Sequence, residues 1–361
     1  MNYVMLKDVC AIKMGQSPDS NSYNDTGEGV PFFQGNADFG ERYPVTRKWC
    51  SVPTKMATQD DILISVRAPI GAMNYAKEDC CIGRGLAALT PDKSKVSSEF
   101  IFWLLKGKNA ELNSKGTGST FKAISRKVLE ETKVPKISLE KQKEFSEILE
   151  RIYGVIQARK EELQKLDELI KARFVEMFGT LDTPTQAFEK ATLKELCNKI
   201  TDGKHGGCKS EVGTERYFVG AREIYDDDVH YESAPEINIE EFEKDYKRCN
   251  VETGDFLIVN TGATIGKSAI ACDKRTEHTL LQKSVALLKV KKDVLNPIFL
   301  KWCYRVNTKM YMVENASAQP NLLLSKINAT VIYVPDIELQ NQFADFVHQV
   351  DKSKVVDIKA A

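Results

Sequence analysis

The sequence predicts an α/β (α+β) fold in which two duplicated globular domains are separated by an antiparallel coiled coil of two long helices. Two observations lead to this prediction. Short sequence markers occur twice, in the same order, roughly 200 residues apart. Between the copies lies Leu139–Phe178, a segment with no proline, one glycine and many Leu, Glu, Lys and Arg residues. A repeat of this length is typical of duplicated domains.

The markers and the predicted elements follow one another in the same order in both copies. Leu6–Cys10 matches Leu193–Cys197, Asp60–Ser65 matches Gly254–Val259, Phe100–Leu105 matches Phe299–Tyr304, and Val134–Gln142 matches Val334–Gln342. Runs of β-branched and aromatic residues between turn residues predict strands. These runs are Val30–Gly35, Asp61–Val66 and Gly85–Thr90, with counterparts Glu215–Gly220, Asp255–Asn260 and Ser284–Val290. One amphipathic helix per copy follows, around Phe100–Lys106 and Pro297–Tyr304.

The segment between the copies has the apolar spacing of a coiled-coil helix. Ser138 is placed to cap its start, and Gly179 to end it. A second helix after Pro335 continues the same spacing and provides the partner that a lone helix needs in water. The predicted divisions are residues 1–135, 136–179, 180–335 and 336–361. The apolar seam, whose residues are also the predicted partner-docking residues, comprises Phe145, Leu149, Ile152, Ile156, Leu163, Leu166 and Ile170 in the first helix, and Phe343, Phe346 and Val350 in the second.

Composition narrows the class of protein. The chain has 361 residues, 42% of them hydrophobic and 28% charged, which is ordinary for a globular protein with two or three domains. No apolar run reaches the roughly 18 residues that would span a membrane, and the start does not resemble a secretory signal. The nine cysteines include no CxxC pair, so we expect reduced thiols, a cytoplasmic protein and no metal site. The net charge is zero, but acids crowd into Tyr225–Asp245 and leave the rest of that copy locally basic.

Two short segments resemble catalytic motifs, but each lacks a feature that its motif requires. Gly262–Ser268, "GATIGKS", has three residues between its glycines, whereas a P-loop needs four. Asn296–Phe299, "NPIF", lacks the second proline of an amino-methyltransferase motif and is expected to start a helix. We therefore predict no nucleotide or other cofactor and no catalytic residues.

These features together resemble the specificity (S) subunits of type I restriction-modification systems. The resemblance covers the whole chain and is carried by paired segments in a fixed order: Ile137–Leu149 with Ile337–Val347, Ala68–Gly71 with Ala263–Gly266, and Ser317–Ile327. It implies that each domain reads one half of a bipartite target in double-stranded DNA. It also implies that the helices set the spacer and dock methyltransferase (M) subunits, with restriction (R) subunits joining for cleavage. The family usually has two helices of similar length, whereas the second here has only about 24 residues.

Candidate DNA-contacting residues lie in polar loops at matching places in both copies. Arg and Lys suit guanine or phosphate, and Asn and Gln suit adenine. In the first copy they are Gln34, Asn36, Arg47, Lys48, Arg67, Arg84, Lys115, Ser119, Thr120 and Lys122. In the second they are Lys204, His205, Arg216, Arg222, Lys267, Gln282, Lys283, Gln319 and Asn321. For any single residue, a solvated surface role is the alternative.

Two other classes of function remain open from the sequence. One is a protein-interaction scaffold whose domains bind proteins instead of DNA. The other is an enzyme, either a P-loop NTPase or a methyltransferase. Salt-dependent DNA binding distinguishes the first alternative from DNA recognition, and turnover of ATP or S-adenosylmethionine would identify the second.

Overall fold

A computed structural model gives the structure of residues 2–118, 122–311 and 321–359. The chain forms two compact units, Met1–Arg159 and Lys160–Ala361. In the part of the chain that is described, no helix is long and apolar enough to cross a membrane. All nine cysteines are free thiols and most are buried, as the sequence predicts.

The first unit is a mixed α/β body. Its strands are β1 (Tyr3–Met5), β2 (Cys10–Met14), β3 (Tyr23–Asn24), β4 (Val30–Phe33), β5 (Trp49–Cys50), β6 (Met56–Ala57), β7 (Ile62–Ser65), β8 (Met73–Tyr75), β9 (Cys80–Ile82), β10 (Leu86–Pro91) and β11 (Lys133–Pro135). Its helices are α1 (Ser98–Gly107), α2 (Asn109–Ser114), α3 (Arg126–Glu130) and the first part of α4 (Leu139–Phe178).

Two sheets and one strand pair form the first unit. An antiparallel sheet has the order β2-β10-β7-β8, and a second sheet has the order β3-β5-β4-β9-β6, in which β4 and β9 are parallel. β1 pairs with β11, which ties the start of the unit to the strand before α4. The core packs Ile62 and Ile64 of the first sheet against Ile101 and Leu105 of α1, all fully buried. Burial of such side chains is the main stabilising term, about 2 kcal/mol each.

The second unit has the same plan. Its strands are β12 (Glu189–Thr192), β13 (Cys197–Asp202), β14 (Tyr217–Val219), β15 (Ile224–Tyr225), β16 (Asp228–Val229), β17 (Phe256–Val259), β18 (Ser268–Ile270), β19 (Thr279–Leu281), β20 (Val285–Val290) and β21 (Val331–Val334). Its helices are the rest of α4, then α5 (Leu193–Leu196), α6 (Ile239–Tyr246), α7 (Pro297–Val306), α8 (Leu324–Ala329) and α9 (Ile337–Lys359).

Equivalent strands pair in equivalent ways. The sheet β13-β20-β17-β18 repeats β2-β10-β7-β8, β12 pairs with β21 as β1 does with β11, and β14 lies parallel to β19 as β4 does to β9. The predicted duplication is therefore confirmed. Each copy is followed by a long helix, as predicted: α4 after the first and α9 after the second. Helix α6 is not predicted from the sequence, in which its acidic residues indicate only a cluster of charge. Asn238 caps it by accepting hydrogen bonds from the amides of Glu240 and Glu241.

The two long helices pair antiparallel within the second unit. Phe343, near the start of α9, packs on Phe174 with ring centroids 5.3 Å apart. Lys354, late in α9, forms a salt bridge of 2.7 Å with Asp167, which precedes Phe174 in α4. Because contacts move backwards along α4 as they move forwards along α9, the pairing is antiparallel. Gly179 ends α4 in the left-handed conformation (φ 74°), as the sequence predicts.

The register of the repeat near the helix starts differs from the sequence alignment by two residues. Gln142 accepts a hydrogen bond from the Ser97 amide (2.9 Å) and donates to the carbonyls of Lys95 and Ile137. Gln340 makes the same three contacts with the Asn296 amide and the carbonyls of Val294 and Pro335. The counterpart of Gln142 is thus Gln340, and its pairing with Gln342 was wrong. The sequence alignment matches the Val-Pro pair of β11 with that of β21. Strand pairing shows that these two pairs are offset by two residues between the copies.

Candidate nucleic-acid interface

In the first unit, glycines bring three chain segments together where β2, β4 and β9 end. The Gly15 amide donates to the Leu86 carbonyl (2.9 Å), Gly83 to Phe33 (2.8 Å) and Gly85 to Gln34 (3.1 Å). A Cβ atom on Gly15 would overlap the carbonyl oxygen of Gly83. The segments can therefore pack backbone against backbone, and Arg84, which lies between Gly83 and Gly85, keeps its side chain exposed.

The polar side chains at this junction include several predicted candidates. Gln34 is exposed, and its Nε2 donates to the Ser17 hydroxyl at 2.9 Å. The Arg84 amide donates to the same hydroxyl at 3.3 Å, while the Arg84 side chain is exposed. The Asp38 carboxylate accepts from the Gln34 amide at 2.7 Å and holds the turn that carries half-buried Asn36. Sequence reasoning did not select Ser17.

Arg67 and Lys122 join this group through a second pair of loops. The Ala68 amide donates to the Lys122 carbonyl (3.0 Å), and the Val66 amide donates to the Gly85 carbonyl (2.9 Å). Arg67 and Lys122 are both exposed. The structure thus brings Gln34, Arg67, Arg84 and Lys122 to one connected set of loops, while Ser119 and Thr120 lie outside the described residues.

The other candidates of the first unit are exposed but differ in their contacts. Arg47 donates weakly to the Ala37 carbonyl (3.4 Å), beside Asn36. Lys48 has its carbonyl bonded to the Phe32 amide and its side chain in solvent. Lys115 is paired with Glu111 at 2.6 Å, and the bonds from Lys108 and Lys115 lower the pKa of Glu111 to about 2. The Lys115 ammonium is therefore already paired with a carboxylate and would have to leave it to contact DNA.

The second unit has the same junction with different side chains. The Gly203 amide donates to the Val285 carbonyl (3.1 Å), Gln282 to Val219 (2.8 Å) and Leu322 to Asn260 (2.7 Å). Around these bonds, His205, Lys283 and Asn321 are exposed and Gln282 is half-buried. The hydroxyl of Thr261, which sequence reasoning also missed, donates to the Asn321 side-chain oxygen at 3.2 Å. Gln319 lies outside the described residues.

Lys204 differs from its neighbours because it is already paired. Its ammonium lies 2.7 Å from Asp245 and 3.4 Å from Glu241, both on α6, and its side chain is 18% exposed. The hydrogen bond to Asp245 raises the pKa of Lys204 well above its usual value. His205 keeps its side chain 56% exposed, with its Nε2 3.5 Å from an Asp202 oxygen. The structure therefore shows Lys204 as a support of the junction and leaves His205 open to solvent.

Three candidates of the second unit remain. The Arg216 guanidinium lies 5.2 Å from the ring centroid of Phe242. Arg222 is exposed in the turn after β14, and Lys267 is exposed in the turn between β17 and β18. That turn contains the "GATIGKS" motif and joins two antiparallel strands. A P-loop instead leads from a strand into a helix, so this turn does not form a phosphate cradle. In the described ranges, no group of His, Cys, Asp and Glu could hold a metal ion.

The predicted helix seam divides into two groups. Phe145, Leu149, Ile152 and Ile156 are 41–50% exposed in the first unit. Ile170, Phe343 and Val350 are buried in the core of the second unit, and Leu163, Leu166 and Phe346 are half-buried there. The second group joins α4 to α9, whereas the first forms an open apolar face.

This duplicated architecture matches a known family. The model of the type I restriction modification DNA specificity domain matches residues 1–168 and again residues 186–360. The chain belongs to this family. The predicted resemblance is confirmed, and the two matches correspond to the two copies found in the sequence and in the fold.

Individual relatives agree with the family. The chain is 44% identical over 160 residues to the putative type I restriction enzyme MjaX specificity subunit of Methanocaldococcus jannaschii, covering 44% of this chain but only 38% of that relative. It is 20% identical over 384 residues to the EcoBI specificity subunit of Escherichia coli, covering 96% and 78%. The crystal structure of a type I S subunit from M. genitalium shares the fold, with a TM-score of 0.55 at 15% identity over 99% of this chain and 91% of that one.

Proposed function

We propose that this chain is the DNA sequence-specificity subunit of a type I restriction-modification complex and has no catalytic role of its own. Residues 1–135 and 180–335 each read one half of a bipartite target in double-stranded DNA. The helices of residues 136–179 and 336–361 set the spacer between the halves. The observation that carries the proposal is the duplicated junction, where one backbone framework presents Gln34, Arg67 and Arg84 in one unit and Gln282, Lys283 and Asn321 in the other.

Different side chains on the same framework are what two unlike half-sites require. Base edges are read by Arg, Lys, Asn and Gln side chains, while phosphate contacts fix the orientation of the protein. Each unit offers both kinds of side chain on short, hydrogen-bonded loops. Family membership supports DNA and the other subunits of such a complex as partners.

DNA recognition is tested with the full chain and its methyltransferase subunits. Their affinity for a duplex with the genomic target is compared with that for a scrambled duplex at rising salt. We expect affinity for both to fall steeply with salt, because phosphate contacts release counterions, while the preference for the target persists. Absence of salt-dependent binding would contradict DNA recognition and favour a protein-interaction scaffold.

The open apolar face of α4 is the proposed docking site of a methyltransferase subunit. An exposed row of this kind marks an interaction surface. Replacing Leu149 and Ile152 with Asp should abolish co-purification of the methyltransferase subunit, since both side chains are exposed and their loss leaves the unit's core intact. The control Glu147→Lys, away from the row on the same helix, should co-purify normally. Equal retention by both variants would exclude this face as the docking site.

A further inference from the structure

A glutamine and a glycine exchange places between the two units. In the first unit, Gln34 follows β4 and faces Gly83 after β9; in the second, Gly220 follows β14 and faces Gln282 after β19. The equivalence is fixed by the backbone, because Gly83 donates to Phe33 as Gln282 donates to Val219, both at 2.8 Å. The glutamine therefore comes from opposite strands in the two units.

Despite this exchange, each unit has one carboxamide lying across the facing glycine at the junction of its two parallel strands. Gln34 Oε1 lies 2.6 Å from the position that a Cβ atom on Gly83 would take, and Gln282 lies in the same way across Gly220. A side chain on the facing residue would displace the carboxamide from this position. Each carboxamide also has an exposed cation after the β9 or β19 strand, Arg84 in one unit and Lys283 in the other.

The carboxamides retain capacity for further hydrogen bonds. A glutamine offers two donors and a carbonyl acceptor. In Gln34 the Ser17 hydroxyl bridges both ends of the carboxamide, donating to Oε1 at 3.1 Å and accepting from Nε2 at 2.9 Å, so a base must displace Ser17 to pair with that edge. The carboxamide of Gln282 has no hydrogen-bond partner among the described residues. A carboxamide on a rigid backbone, at a junction that also carries an exposed cation, has the chemistry that pairs with the N6 and N7 atoms of adenine in the major groove, directly for Gln282 and in exchange for Ser17 for Gln34.

We propose that Gln34 and Gln282 are equivalent specificity-determining residues, each reading one adenine in its half of the target. The inference rests on the proposed function and adds the base and the residue to it. Because the segment after either strand supplies the carboxamide to the junction, the inference predicts that the two residues can be exchanged within one unit. The backbone at Gly83 is outside the left-handed region, and Gln34→Gly removes the side-chain atoms that a Cβ atom there would meet, which leaves the Cα atom of residue 34 at 3.0 Å as the tightest neighbour.

The test uses the full chain with its methyltransferase subunits and duplexes containing the genomic target. 7-Deazaadenine, which lacks the N7 acceptor, replaces each target adenine in turn, and affinity is measured at fixed salt. We expect one position in one half-site to weaken wild-type binding about tenfold, within the range of one bidentate base contact. Gln34→Gly should weaken binding to natural DNA by a similar factor and should be insensitive to deazaadenine at that position. The same design applies to Gln282→Gly in the other half-site.

The reciprocal variant Gln34→Gly with Gly83→Gln recreates the arrangement of the second unit. It should restore both the affinity and the sensitivity to deazaadenine. Gln59→Leu, an exposed glutamine before β7, is the matched control and should bind as wild type does. If wild type prefers its target but Gln34→Gly keeps full deazaadenine sensitivity, the glutamine only covers the glycine and the inference is wrong. If wild type shows no target preference, the proposed function fails first.

Discussion

At the scale of single residues, two buried glutamines fix the start of each long helix. Gln142 and Gln340 are 1% and 0% exposed, and each joins its helix to the segment before α1 or α7 through two hydrogen bonds. A third bond from each goes to a carbonyl just before its own helix. An amide group can serve two carbonyls and one amide at once, whereas an apolar side chain would leave all three without a partner. The polar residue is therefore required where the core would otherwise favour leucine.

Gln340→Leu should lower the free energy of unfolding of the second unit by about 2–4 kcal/mol, since each buried polar group left unpaired costs roughly 1–3 kcal/mol. The matched control is Gln342→Leu, two residues along the same helix and exposed, which should change stability by less than about 0.5 kcal/mol. Urea denaturation of both variants gives the comparison. Equal losses would show that the three hydrogen bonds of Gln340 contribute nothing specific.

At the scale of elements, the segment after β4 or β14 is linked back to the helices by ion pairs of opposite polarity. In the first unit, Arg42 donates to both oxygens of Glu150 on α4 at 3.0 Å, with its guanidinium about 5 Å from the Tyr75 and Phe102 rings. In the second, a link from the corresponding segment runs from Asp227 in the β15–β16 turn to Lys301 and Arg305 on α7, the counterpart of α1. The loop supplies the cation in one unit and the anion in the other.

Reversing the charge of Arg42 tests this link. Arg42→Glu should destabilise the first unit by about 1 kcal/mol, because an ion pair in which one guanidinium nitrogen contacts both carboxylate oxygens, beside two aromatic rings, is at the upper end of exposed salt bridges. Adding Glu150→Arg should recover part of that loss. The exposed pair Lys127–Glu131, at 3.8 Å, is the control, and Lys127→Glu should have an effect of a few tenths of a kcal/mol. A double variant no more stable than Arg42→Glu would contradict a direct charge interaction.

The elements were more predictable than their junctions. Helix α4 matches its predicted limits because periodicity, a cap and Gly179 are all local signals. The facing of Gln34 and Gly83, and its reversal in the second unit, cannot be predicted from the sequence. It depends on parallel pairing of strands about fifty residues apart. The pairing of Lys204 with α6 was missed for the same reason, because the acids that neutralise it lie some forty residues further along the chain.

At the scale of the whole molecule, the length of α4 is the variable that the proposed function ties to the DNA spacer. Forty residues make a helix of about 60 Å. Residues 156–162 lie between Tyr153, which packs on Trp103 in the first unit, and the α4–α9 core of the second. Helical turns can therefore be removed there without deleting the buried residues of either unit.

Deleting residues 156–162 removes two turns and about 10 Å, while the helix faces rotate by only about 20°. Both half-sites should remain unchanged and the spacer should shorten by about three base pairs, because base pairs stack at about 3.4 Å. Sequencing the methylated motifs in a host that carries the variant measures both quantities. Lys160→Ala with Glu161→Ala alters the same stretch at constant length and should keep the spacer. An unchanged spacer in the deletion variant would show that α4 does not set the distance between the half-sites.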